Sequence, residues 1–310
     1  MRTRSTTHAV MWRWSLTALC VLALGASSAH ATESPSYAAY FAGKYLTALE
    51  LAKKEGEAGS KEAFTLMGEI YSGGHGVAQD YAMAADAYAQ GADLGDPNSQ
   101  FSLGILVAEG RGVRKDLRIA SNLFEHAADA GNAAAQYNLA LIYLHGRGRP
   151  MDDAKAAEWM MKAAAQGNAQ AQYDLGAFYL FGRGVPIDKA KAAEWTGKAA
   201  DAGLSAARVE YAVMLFKGAG LEADQKRAAQ LFLLAAEQGN PVAQNRLARL
   251  YANGVVFEAN PTQAAKWHLL ARQAGVSDFS LDIMLSKLTK EQRVAAERAV
   301  DGWSSGRLTE

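Results

Sequence analysis

One cysteine and six prolines in 310 residues set the first limits. A single thiol excludes a disulfide framework and a four-cysteine zinc site, and so few prolines exclude a collagen-like chain. A charge excess of either sign is also missing. The 32 basic and 32 acidic residues cancel with histidines neutral, which removes the basic surplus that nucleic-acid binding needs. Signatures of catalysis are equally scarce: no S-x-x-K nucleophile motif occurs. What is there in quantity is apolar, 50% of residues against 21% charged, the balance of a globular chain.

The longest uncharged run is at the start. Arg2, Arg4 and Arg13 precede the apolar segment Trp14–Ala26, and Ala29-His30-Ala31 then supplies an A-x-A site. This layout predicts a secretory signal peptide over 1–31, cleaved after Ala31, and a periplasmic or secreted product with no membrane span left. An uncleaved anchor is disfavoured because a span needs roughly 20 apolar residues. Lipidation at Cys20 is disfavoured because a large Leu19 precedes it and the apolar run continues beyond it. Cleavage would leave 29 basic and 32 acidic residues and no thiol. The histidines left, His75, His126, His145 and His268, have no second histidine three to five residues away, so no metal or cofactor is expected.

The strongest signal is repetition. Gly59, Gly95, Gly131, Gly167, Gly203, Gly239 and Gly275 are 36 residues apart. In the same register run Gly74, Gly110, Gly146, Gly182, Gly218, Gly254 and the alanine column Ala84, Ala120, Ala156, Ala192, Ala228, Ala264. A further column is Asp80, Asp116, Asp152, Asp188, Asp224, Asn260. Each unit reads as two helices. Ala135, Leu139, Ala140 and Tyr143 share one face of the first, which ends at Gly146. Asp152 caps the second, whose buried stripe is Ala156, Ala157, Trp159, Ala163 and Ala164, and Gly167 and Asn168 form the next junction. A single hairpin cannot bury both its faces, so the stack is the folding unit.

Residues 169–203, AQAQYDLGAFYLFGRGVPIDKAKAAEWTGKAADAG, resemble the Sel1-like repeat, a branch of the tetratricopeptide-like helical repeats. The resemblance implies an all-α, right-handed α/α solenoid of six 36-residue units over 61–276. Residues 32–60 read as a partial opening repeat, and 277–310 as a cap whose box, Thr289-Lys290-Glu291-Gln292, opens a final helix. Two departures stand out: Thr196-Gly197 falls where an aromatic is expected, and Val256 replaces the second loop glycine. Cysteine-rich members described as penicillin-binding carry a cysteine pair per repeat, so that activity is not carried over.

The resemblance implies a binder of protein in the cell envelope, an adaptor, scaffold or receptor regulator, and not an enzyme. A cell-wall-directed hydrolase or β-lactam-binding protein and a glycan-binding module are the rivals. In the resembling repeats the first helices line the concave side. The residues opposite the Leu139–Tyr143 face then define a candidate peptide groove: Phe101, Tyr137, Leu141, Leu144, Tyr173, Leu180, Phe181 and Phe216. Extra packing between first helices is the alternative for the same side chains. Arg111, Arg114, Lys115, Arg147, Arg149 and Arg183 come from three consecutive turns and define a candidate ridge for an anionic partner.

Overall fold

The structure, a computed structural model, describes residues 34–307. The expected signal segment and its cleavage site lie outside the described residues. Within them there are sixteen helices and no strand, an all-α solenoid. Helices α1 (Pro35–Phe41) and α2 (Tyr45–Glu57) precede six hairpins. These are α3 (Lys61–Gly73) with α4 (Tyr81–Asp93), α5 (Pro97–Glu109) with α6 (Leu117–Asp129), and α7 (Ala133–His145) with α8 (Asp153–Ala165). Then come α9 (Ala169–Phe181) with α10 (Lys189–Asp201), α11 (Ser205–Lys217) with α12 (Gln225–Glu237), and α13 (Pro241–Asn253) with α14 (Pro261–Gln273). Helices α15 (Phe279–Ser286) and α16 (Lys290–Arg307) close the stack.

The helix ends form for local reasons. Asp152 accepts the Lys155 amide at 3.0 Å and Asn168 accepts that of Ala171 at 2.9 Å, satisfying amides that have no partner inside the helix. Ala135, Leu139, Ala140 and Tyr143 are all buried, as are Ala156, Ala157, Ala163 and Ala164. Trp159 departs from the expected stripe. Met160 takes the core position at the i, i+4 spacing from Ala156, and Trp159 stays half-exposed with the Lys162 ammonium 3.8 Å from its ring centroid.

The two sequence departures have steric explanations. Gly197 makes room for the next unit: a Cβ there would stand 3.0 Å from Cζ of Tyr211, the ring that replaces the usual leucine. The second loop glycine is a stacking contact. A Cβ on Gly112, Gly148, Gly184 or Gly220 would collide with the backbone carbonyl of Tyr81, Leu117, Asp153 or Lys189, at the start of the preceding unit's second helix. These glycines also have positive φ. Val256 holds the same conformation at φ 68°, the one non-glycine residue described that does so. Its side chain borders a recess of about 790 Å³ against Leu215, Leu221 and residues 222–227 at the start of α12.

The cap is tied on by charge. The Thr289 amide donates to Gln292 Oε1 and the Gln292 amide to Thr289 Oγ1, the reciprocal box expected. The buried Asp278 carboxylate accepts Arg249 Nε at 2.6 Å and Asn245 Nδ2 at 3.0 Å from α13 and caps α15 through the Ser280 amide. Burial pushes the Asp278 carboxyl up, but these hydrogen bonds and the Arg249 charge win and hold it at about 2. A carboxylate with a depressed value stabilises the fold fully above its unfolded value near 4 and loses that contribution as pH falls towards 2. Asp278→Asn is therefore expected to destabilise the protein by on the order of 2 kcal/mol at neutral pH. Thermal melts of the two proteins should converge between pH 4 and pH 2, and a gap that persists at pH 2 would refute the assignment.

Candidate functional site

The first helices α5, α7 and α9 carry little sidedness. Each packs against its own second helix and against the second helix of the unit before it, so apolar side chains are buried on more than one side. The candidate groove residues therefore divide. Tyr137 and Leu144 are 7% and 8% exposed and belong to the central core. They pack and do not line an open groove, which corrects their assignment. Phe101, Leu141 and Leu180 are half-buried against the same core, Tyr173 against the Ala199–Ala207 cluster, and Phe216 against the Leu215–Phe232 cluster. Only Phe181 of these side chains stands free, 73% exposed at the end of α9.

The candidate ridge divides similarly. Arg149 is withdrawn from it: its guanidinium binds both carboxylate oxygens of Glu125 and donates to the Tyr143 hydroxyl at 2.9 Å and Asn122 Oδ1 at 3.0 Å. Arg111 pairs with Glu109 at 2.9 Å. Arg183 pairs with Asp153 at 3.1 Å and reaches the Leu144 carbonyl at 3.3 Å. Arg114, Lys115 and Arg147 are exposed and form no ion pair among the described residues. Phe181 thus stands near a small basic rim and not on a continuous ridge. Burial, then Arg147 and Arg183, hold the His145 imidazole below its ordinary value, which places that ring beside both arginines.

A different set of groups was missed by helical-wheel reasoning. The inner-face position that Asn138 occupies in α7 is taken by Asp174 in α9, by Glu210 in α11 and by Ser102 in α5. Asp174 is 5% exposed; it accepts the Tyr137 hydroxyl at 2.9 Å and Gln170 Nε2 at 3.2 Å. Burial pushes its carboxyl up to about 6 against the pull of those two bonds. Glu69, one helical turn along the inner face of α3, is pushed up to about 7 by burial and by Asp96. The legible signal was an absence: α5, α7 and α9, thirteen residues each, contain no lysine or arginine.

Among the described residues no three His, Cys, Asp or Glu side chains are placed to hold a metal, and no helix is long and apolar enough to cross a membrane. A second recess of about 310 Å³ lies between α14, α15 and α16, lined by Leu269, Leu285, Leu288, Arg272, Arg293 and Glu297 among others.

Comparison with solved structures finds the same architecture. A Sel1 repeat protein from Oxalobacter formigenes superposes with a TM-score of 0.67 at 27% identity, over 81% of this chain and 100% of that one. The protective antigen c5321 of uropathogenic Escherichia coli, which displays the SLR fold, superposes with a TM-score of 0.55 at 28% identity, over 88% of this chain and 69% of that one. Comparison with curated proteins finds no match. The Sel1 repeat model matches six times in succession, at 62–96, 97–132, 133–168, 169–204, 205–240 and 241–276. With its hairpins in that register from end to end, the chain belongs to the Sel1 repeat family, whose repeats serve as protein-interaction scaffolds.

Proposed function

We propose that this protein is exported by a cleaved signal peptide and acts in the periplasm as a scaffold or adaptor that holds a partner protein of the cell envelope. The Arg-rich start, apolar run and A-x-A site before Thr32 support export. The observation that carries binding is Phe181: a phenylalanine this exposed, beside a basic rim and on the end of a rigid helix, has no packing role and has the chemistry of an interface anchor. The test is a photo-crosslinking amino acid at position 181 in intact cells, with position 194 on the exposed side of α10 as control. Capture of one discrete protein from 181 and not from 194 is the expected result; identical patterns from both would overturn the assignment. N-terminal sequencing of the same material should begin at Thr32, and an intact Met1 terminus on the mature protein would overturn export.

A further inference from the structure

We propose that the loop edge of the second, third and fourth hairpins rests on an anionic lipid leaflet, with Met151 and Ile187 entering the acyl boundary and the surrounding cations meeting the headgroups. The inference goes beyond the scaffold reading and does not depend on it.

Each hairpin turns back over the glycine that ends its first helix. The residue lying against that glycine is Gln79, Lys115, Met151, Ile187, Ala223 and Ala259 in successive units. Polar side chains and bare methyl groups serve there, so the fold asks for no more than a Cβ. Met151 and Ile187 extend past it into solvent, 70% and 66% exposed. Each follows an exposed proline, Pro150 or Pro186, whose fixed φ stiffens the tip. Ile119, in the first turn of α6, adds a third exposed apolar side chain to the same edge.

The charge around these tips is not that of the chain as a whole, where acids and bases cancel. The stretches 110–119, 146–155 and 182–191 run from the loop into the second helix and hold ten lysines and arginines against four aspartates. The equivalent stretches 74–83, 218–227 and 254–263 hold two cations and four acids. Gly148 resting on the Leu117 backbone and Gly184 on that of Asp153 set the three basic edges side by side. Part of the charge is spent internally. Arg111, Arg149 and Arg183 pair with Glu109, Glu125 and Asp153, and Lys155 and Lys191 lie over the rings of Tyr143 and Tyr179. The cap carboxylates of Asp116, Asp152 and Asp188 are committed to helix amides. Arg114, Lys115, Arg118, Arg147 and Lys189 remain, all exposed and with no ion pair among the described residues.

Apolar tips scattered among cations fit a leaflet better than a folded partner. An interface anchor on a protein seats in a packed pocket, and the two recesses described above lie elsewhere, at the start of α12 and at the cap. A fluid leaflet admits side chains one at a time. Apolar insertion and attraction to anionic headgroups together supply the two signals that stable membrane attachment takes. A surface that was only apolar would be opposed by the cost of drying five cations. One that was only charged would leave Met151 and Ile187 in water.

The experiment is co-sedimentation of the purified protein with sucrose-loaded vesicles. One set is phosphatidylglycerol and phosphatidylcholine in equal parts, and the other is phosphatidylcholine alone. The anionic set should carry the protein down and the neutral set should not, and added salt should release it. Met151→Ser with Ile187→Ser should weaken binding about fivefold or more, and Arg114→Glu with Lys115→Glu about tenfold or more. Ala223→Ser with Ala259→Ser, at the same loop position in the fifth and sixth units, should bind like the parent. All six sites are exposed, so helical circular dichroism should be unchanged throughout. Parent protein that pellets with neither set, or equally with both, overturns the proposal. Full binding by the Met151/Ile187 pair or by the Arg114/Lys115 pair overturns it as well. The scaffold reading is judged separately, by capture from position 181 in cells, and survives each of these failures.

Discussion

Tyr143→Ala is expected to cost about 3–5 kcal/mol of stability, the range for emptying a large aromatic site in a close-packed core. The ring is buried between α7 and its neighbours, and it also organises charge. Its hydroxyl accepts from Arg149 Nη1, and the ammonium of Lys155 lies 5.3 Å from its centroid. Truncation therefore opens a cavity and removes one wall of the Arg149–Glu125 pair together. Tyr143→Phe separates the two effects, because it keeps the ring and loses only a hydrogen bond worth about 1.5–3 kcal/mol when one partner is charged. Urea unfolding followed by circular dichroism is the measurement. Since each hairpin is coupled chiefly to its neighbours, the Ala variant should show a broadened or split transition and not a simple shift. A loss below about 1 kcal/mol would mean that the ring is not in the core.

Gly184→Val is expected to be nearly as damaging, about 2–5 kcal/mol, by combining left-handed backbone strain with overpacking. A side chain there has nowhere to go, because the Asp153 carbonyl already occupies the position of its Cβ. The reverse change, Val256→Gly, should stabilise by up to about 1 kcal/mol, the relief of strain being partly offset by the greater freedom of glycine in the unfolded chain. The two variants form a matched pair that differ only in which unit carries the side chain. Melting temperatures moving in opposite directions support the stacking role of this position; a Gly184→Val protein that melts like the parent would refute it.

The period was readable because it rests on backbone requirements that recur in every unit: a cap oxygen before each second helix, a small residue where two helix axes approach, a glycine where a loop meets a carbonyl. The repeat boundaries and the capping box at Thr289 follow from these. What failed followed from treating a helix as having one neighbour. A wheel drawn on α7 puts Tyr137 and Leu144 opposite Leu139, but α7 is covered on several sides, and Tyr137 reaches across to Asp174 of the next unit. Arg149 looked like its fellow loop arginines because nothing local announces Glu125, 24 residues earlier. Trp159 is expected in the buried stripe of α8, whereas Met160 takes the core position and Trp159 stays half-exposed under Lys162. Asp174 needed the opposite kind of reading, since it becomes conspicuous only because α5, α7 and α9 have no cation to match it.

The glycine contacts have one more consequence. From the first unit to the fifth, neighbouring hairpins meet where loop backbone rests on helix backbone, with no side chain between them. The pitch of the stack is thus gauged by atoms that are identical in every unit, like a thread cut with one tool. Residues on the inner face can be rewritten unit by unit without altering the distance between successive reading positions, and a partner whose contact groups recur at that pitch meets five units in register. At Val256 a side chain enters that contact on the same backbone conformation, beside the recess at the start of α12.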